Sequence, residues 1–476
     1  MVATHSSFGV QRISYRDIMT HSDTRARKRI VGYNKRHGLR EKISEIFTLS
    51  ICNSQSHLHS FMCEGSSDQQ NKAATMQYQI PDGMHVISPG AIDMRSDLMV
   101  DADLANPKPI VEGNEKNIWF FWHNGYSGMH EYCQRNVRAW HRRFSRLGWV
   151  VRVVDRKPGS PLNISNFLDI ADPSLFPAAF TENTLSGTYA LQHSSDLVRW
   201  PLLLRYGGVY ADVGMMQIGD LDRLWNETVG NPKSPYTVLS YQGGDDDEYA
   251  LTNYFLCSNR GNPLFQRAHD LFLALWAEEG GKVDTVGMHK SPLLEGVPMM
   301  TAPAFTEEGK TYDVEEASAL LTDYIIQGQA LTMAMSAEDP RDGWNGPEYV
   351  RTHVYAIEFM VGAQLINDLT KWDGSLAYAL MSLPLPRSGE AESDEQKKAK
   401  AIVKSCLSRS FGFKLATGLI LRVLGDTLSS LWRQHIGSDN VPGTYAHWLR
   451  YGIVHWNQNE VPSPIEWKPR QPIKMG

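Results

Sequence analysis

Two carboxylates and a guanidinium stand close together between Ser195 and Leu224: Asp196, Arg199 and Asp212, with Tyr210 two residues before the last of them. Asp196 and Arg199 are three apart, which on a helix sets both on one face. A helix is predicted over 188–206, ended by the pair Gly207–Gly208. Val209–Tyr210–Ala211 then reads as a strand whose end presents Asp212. A carboxylate in that place can hold Mg²⁺ or Mn²⁺ against a diphosphate, oxygen to oxygen. The arginine offers a planar fork of donors to phosphate or sugar oxygens. The second carboxylate can accept from sugar hydroxyls, a directional contact. This set suits a nucleotide diphosphate sugar, with metal and arginine stabilising the charge of a leaving diphosphate.

Such residues work only if the chain gathers them. Asn117 to Trp122 is a short apolar run emptying into His123–Asn124–Gly125, the pattern of a buried strand and its turn. A helix follows over 129–146, then a β-rich run from Trp149 to Val154 that stops at Asp155. Strand, helix, strand with short turns predicts an α/β fold with a parallel sheet covered on both faces. Open sheets of this kind bind ligands at the carboxyl ends of their strands. His123 and Asn124 therefore join the candidate substrate-binding residues, whereas Trp119 is expected in the core. Asp155 is open between a nucleotide contact and a turn. Further strands are predicted at 236–241 and 254–257 and a helix at 264–277.

The chain has 476 residues, 42% of them hydrophobic and 21% charged, which is a globular composition and excludes collagen-like, wholly disordered or polytopic membrane chains. Five cysteines are too few for a disulfide framework and point to free thiols. Residues 1–75 carry 11 Lys and Arg against 6 Asp and Glu, leaving 36 against 47 for the rest. A body that acidic argues against nucleic acid as a partner. The reading that follows is a disordered extension over 1–75, or an upstream stretch absent from the natural product, a lead-in over 76–115 and a catalytic core over 116–385. An exposed polar linker over 386–400 and a helical C-terminal cap over 401–476 complete it. No signal peptide or membrane-length apolar run is evident, so a cytoplasmic protein is expected. An amphipathic helix near 413–433, covering the core as a lid, would allow at most peripheral membrane contact. The acidic run Asp245–Asp246–Asp247–Glu248 reads as a solvated loop.

Ser195, Asp196, Arg199, Leu203, Gly207, Gly208, Tyr210 and Asp212 together form a signature that resembles the donor site of family 32-type glycosyltransferases. It is most similar to their capsular-polysaccharide-synthesis branch, and the likeness extends over roughly half the chain. The resemblance implies a GT-A fold: a single Rossmann-like domain, mostly parallel, with helices on both faces. It implies transfer of a hexose from a UDP- or GDP-sugar to a hydroxyl acceptor (a glycan, lipid or secondary metabolite) with retention of configuration. It assigns Asp196, Arg199 and Asp212 to catalysis, and sets Tyr210, Gly207 and Gly208 against the substrate. Asp212 becomes the first acid of a metal-binding D-x-D element. The late pair His455–Trp456 resembles the histidine and aromatic residue that such enzymes bring to metal and diphosphate; a packed C-terminal strand is the other reading. The sequence departs from the pattern at Gly214, which stands where the second acid belongs. Losing that carboxylate weakens a divalent site. It also admits a second function class, a catalytically silent nucleotide-sugar-binding module or a fold reused for other chemistry.

Overall fold

A computed structural model describes residues 78–106, 108–244 and 248–475, so the expectation for 1–75 and residues 245–247 of the acidic run lie outside the described residues. The chain opens with β1 (Met84–Val86) and α1 (Asp97–Ala105). The apolar run after Lys116 is β2 (Asn117–Phe121), α2 spans Glu131–Phe144, and β3 is Val150–Val154. The signature segment supplies α3 (Ala190–Tyr206), β4 (Gly208–Ala211) and β5 (Met215–Gln217). After these come β6 (Val238–Gln242), β7 (Leu251–Ser258) and α4 (Pro263–Ala277). Then follow α5 (Val314–Tyr324), α6 (Ile326–Ser336) and β8 (Val354–Ile357).

Six strands pair in the order β8-β6-β7-β4-β2-β3. Five run in one direction and β7 runs against them. The sheet is therefore mixed. Its antiparallel member has a simple cause, because only a short loop joins β6 to β7 and a parallel return needs a crossover of a dozen residues or more. Alternation along β2 divides the two faces. Trp119 lies 5.5 Å from Tyr206 at the end of α3 and 5.6 Å from Phe167, while Phe120 lies 5.5 Å from Trp140 of α2. Helices α3, α4 and α6 cover the first face and α2 the second. Both rings are fully buried. At ~25 cal/mol per Å², a buried indole of ~200 Å² contributes about 5 kcal/mol of transfer free energy.

Residues Gln79–Gly476 form one compact unit, and the C-terminal segments are woven into it. Ser393 and Gln396 make a capping box at the start of α7 (Asp394–Arg409), where the polar stretch ends. The single helix predicted near 413–433 does not form. Gly418 (φ +66°) and Gly425 (φ +79°) interrupt it, giving β9 (Gly412–Lys414), α8 (Leu419–Leu424) and α9 (Leu428–Gln434). Strand β9 pairs antiparallel with β5. After α10 (Tyr445–His455), β10 (Trp456–Gln458) pairs with β1. The buried guanidinium of Arg143 ties these parts together. It donates to the carbonyls of Gln217 and Ile218 at 2.8 Å, to that of Gly219 at 3.0 Å, and to Asn457 Oδ1 at 2.5 Å. Burial lowers its pKa to about 10. Finally the tail recrosses the sheet edge, Ile465 N donating to Ala356 O and Trp467 Nε1 to Val354 O. No helix among the described residues is long and apolar enough to cross a membrane.

Candidate functional site

From His193 to Leu203 helix α3 is buried almost without interruption. A helix enclosed on all sides has no water with which to solvate its charges, so Asp196 and Arg199 must satisfy each other and their neighbours. Arg199 lies 2.8 Å from Asp196 Oδ1, and only 3% and 7% of the two side chains is exposed. The guanidinium also donates to Ser195 Oγ at 3.1 Å and to the carbonyl of Asn253 on β7. Burial opposes its charge, but Asp196, Tyr210 and Asp212 outweigh that and raise its pKa. Asp196 is further held by His193 Nδ1 at 3.2 Å and by Asn253 Nδ2 at 3.4 Å.

The two glycines that end α3 aim β4 so that Asp212 emerges at the carboxyl edge of the sheet. Its backbone N–H donates to Tyr254 O at 2.9 Å. One carboxylate oxygen faces Arg199 at 3.5 Å, the other meets Lys414 Nζ at 2.8 Å. Asp212 is 27% exposed and Lys414 14%. Two carboxylates and two cations thus form a chain, enclosed at Asp196 and open at Asp212 and Lys414. Asp196, Arg199 and Asp212 are brought together as the spacing predicts. Arg199 is enclosed by protein acceptors, so its direct work is to hold both acids in place.

His123 and Asn124 follow β2, the strand beside β4, at the same edge of the sheet. Asn124 is exposed, and His123 Nδ1 is buried without a hydrogen-bond partner among the described residues. Burial and then Arg156 hold its imidazole below the ordinary value, against the pull of Asp155. Asp155 itself serves a turn, accepting from Lys157 N at 2.9 Å and from Ser160 Oγ at 2.7 Å.

Three expectations need correction. Tyr210 does not face a ligand: its ring is fully buried beneath Arg199, whose guanidinium carbon lies 4.9 Å from the ring centre, and its hydroxyl bonds Ser195 Oγ at 2.7 Å. Gly207 and Gly208 open β4 at the amino end, the edge opposite Asp212. A Cβ on Gly208 would come within 2.2 Å of Asn117 O, so that glycine serves strand packing. His455 and Trp456 stand apart from Asp212. Asn136 of α2 bonds the carbonyl of Val213, whereas His455 accepts at its carbonyl from Ile87 N at 2.8 Å and sets its ring 4.1 Å from that of Tyr451. Trp456 is 2% exposed and pairs with Val86, which is the packed-strand reading.

Lys414, Asn253 and His193 were missed. Only a lysine alone within the apolar run Phe411–Leu415 marked the first of them, and nothing in the sequence joins position 414 to position 212.

A divalent ion at Asp212 would need several hard oxygen donors. Position 214 has no side chain, the Asp196 carboxylate is committed to three partners, and two cations flank Asp212. This donor set does not fit the metal. Among the described residues, the one group of three candidate ligands that converges is Asp93, Asp103 and His141, and Arg95 already pairs both of those acids.

The family described as capsular polysaccharide synthesis protein matches residues 101–291, the part that contains α2, α3 and β2 to β7. The chain is 33% identical to the O-glycosyltransferase braB of Annulohypoxylon truncatum over 408 residues, covering 83% of this chain and 93% of that one. It is 32% identical to the glycosyltransferase afumC of Aspergillus fumigatus over 379 residues, covering 78% and 93%. The solved PaToxG glycosyltransferase is 15% identical and covers 53% of this chain and 88% of its own, with a TM-score of 0.24, too low to bear on the fold. With relatives matched over nearly their whole length, and with Asp196, Arg199 and Asp212 of the signature brought together, the chain belongs to the capsular-polysaccharide-synthesis family of glycosyltransferases.

Proposed function

We propose that this enzyme uses a GT-A-type sheet to transfer a hexose from a UDP- or GDP-sugar to a hydroxyl group on a glycan, lipid or secondary metabolite, with retention. The observation that carries the reading is the buried Asp196–Arg199 pair holding Asp212 at the open carboxyl edge. There Asp212 accepts from donor hydroxyls, and Asn124 and His123 line the neighbouring strand end. Arg199 and Asp196 keep their positions through the reaction because neither can turn without leaving a buried charge unpaired. Two relatives named O-glycosyltransferases support a hydroxyl acceptor. The cluster offers no free base–nucleophile pair, which agrees with direct replacement on one face of the sugar.

Release of nucleoside diphosphate from a panel of UDP- and GDP-sugars tests the reading, since slow hydrolysis of the donor needs no acceptor. One donor should be consumed, and Asp212→Asn should lower its release at least ~100-fold, the cost of losing one positioned charge contact. Undiminished release in Asp212→Asn would remove Asp212 from the site. Binding of a donor with no turnover, with or without acceptors, would make the protein a nucleotide-sugar-binding module.

A further inference from the structure

We infer that the ammonium of Lys414 takes the place of the divalent cation at the donor diphosphate, so that this enzyme transfers sugar without a metal. The inference rests on the donor-site reading above and adds to it the source of positive charge.

Lys414 lies 2.8 Å from Asp212 Oδ2. Its Nζ is also 3.4 Å from the point where a Cβ on residue 214 would sit. The ammonium thus stands beside residue 214, in contact with the first atom of any side chain placed there. Its position is fixed from the backbone outward. Strands β9 and β5 pair Lys414 with Met215, and Leu415 N donates to Gly214 O at 3.0 Å. The ring of Tyr254, 5.6 Å from the ammonium, flanks it on another side. An acid at 214 and a lysine at 414 would be neighbours at one place in the site, and this chain has only the lysine. The first would supply a ligand for a doubly charged ion; the second supplies a charge directly.

The charge balance agrees. Asp196 at 2.8 Å takes the charge of Arg199, which stands 3.5 Å from Asp212, so Lys414 is the cation paired with Asp212 itself, and the two acids are balanced by two single charges where a divalent ion would bring both at once. Lys414 is the more exposed of the two, so it can meet the diphosphate while Arg199 stays enclosed. In the transfer the bond from the anomeric carbon to the phosphate oxygen breaks, and its electron pair leaves with the diphosphate. The acceptor oxygen forms the new bond and its proton passes to the departing diphosphate. Lys414 stabilises the charge that develops there and itself loses no proton.

The test uses the full chain dialysed against EDTA, with UDP and GDP as calorimetric probes and a panel of UDP- and GDP-sugars as substrates. Nucleotide binding and donor breakdown should change less than 2-fold between EDTA and added Mn²⁺. Paramagnetic resonance should find no stoichiometric Mn²⁺ on the parent. Lys414→Met should lower breakdown at least 100-fold, and Lys414→Arg should retain part of it. Lys414→Met combined with Gly214→Asp should gain a bound Mn²⁺ signal, a readout independent of turnover. Breakdown that stops in EDTA and returns with Mn²⁺ would overturn the inference while leaving the donor reading intact, and this measurement on the parent needs no variant to fold. Unchanged breakdown in folded Lys414→Met would overturn it as well. No nucleotide binding in either medium would overturn both readings together.

Discussion

Replacing Arg199 by alanine is the obvious way to test this site, and the structure predicts that it damages the fold before it reports on chemistry. The side chain is 3% exposed and faces an Asp196 carboxylate that is 7% exposed. Its removal withdraws the ion pair and the bonds to Ser195 Oγ and the Asn253 carbonyl. His193 and Asn253 then remain to Asp196, at 3.2 and 3.4 Å. Breaking a buried pair from one side costs about 3–5 kcal/mol, because the remaining charge has no water and has lost its opposite charge. That is a large share of the ~5–15 kcal/mol that separates a typical native state from its unfolded chain. With a urea slope of ~3 kcal/mol per M or more, the midpoint of Arg199→Ala should fall by about 1 M. Combining it with Asp196→Asn should restore at least ~1 kcal/mol, since the orphaned charge is then gone. Asp212→Asn differs in kind. At 27% exposure its ion pairs are screened, and its loss should cost no more than ~1 kcal/mol. Urea unfolding of the three proteins by tryptophan fluorescence reads both numbers. An unshifted midpoint for Arg199→Ala, or no recovery in the double variant, would refute the buried-pair account and return Arg199 to the list of groups free to meet a ligand.

Two further outcomes follow from the same structure. Burial holds His123, His130, His141, His269, His447 and His455 below the ordinary value of 6.5, so below that pH the unfolded chain binds more protons than the folded one. Stability therefore falls as pH is lowered through this range, while carboxylates such as Asp439, held below 3.8, do not yet titrate; an equal or higher Tm at pH 5.5 than at 7.5 would contradict this. Gly208→Ala places a Cβ 2.2 Å from Asn117 O at φ +99° and should cost at least ~2–3 kcal/mol in thermal melting, although it lies at the edge away from Asp212; a parent-like Tm would show that β4 can shift.

Elements near one another in sequence were legible because local patterns define them. The runs at Asn117 and Trp149, and the helix ended by Gly207, are found within two residues of their predicted bounds. The offsets of Asp196, Arg199 and Asp212 likewise identified the cluster before its contacts were known, since helical spacing and a strand end fix where such side chains point. Reading failed where composition concealed a break, as at Gly418 and Gly425 within the supposed helix over 413–433. It also failed where a residue's role depends on which way its strand is packed: Tyr210 has the right spacing but lies beneath the site.

The sequence by itself determined the family, the α/β order of elements and the acidic and basic groups of the signature, all of which rest on neighbours a few residues apart. Only the tertiary structure decided which cation meets Asp212. Lys414 reaches it from 202 positions away, carried by the pairing of β9 with β5, and no period or motif encodes a contact across such a separation. That pairing is set by the packing of the whole unit, so the charge balance of the site becomes visible only once the chain is folded.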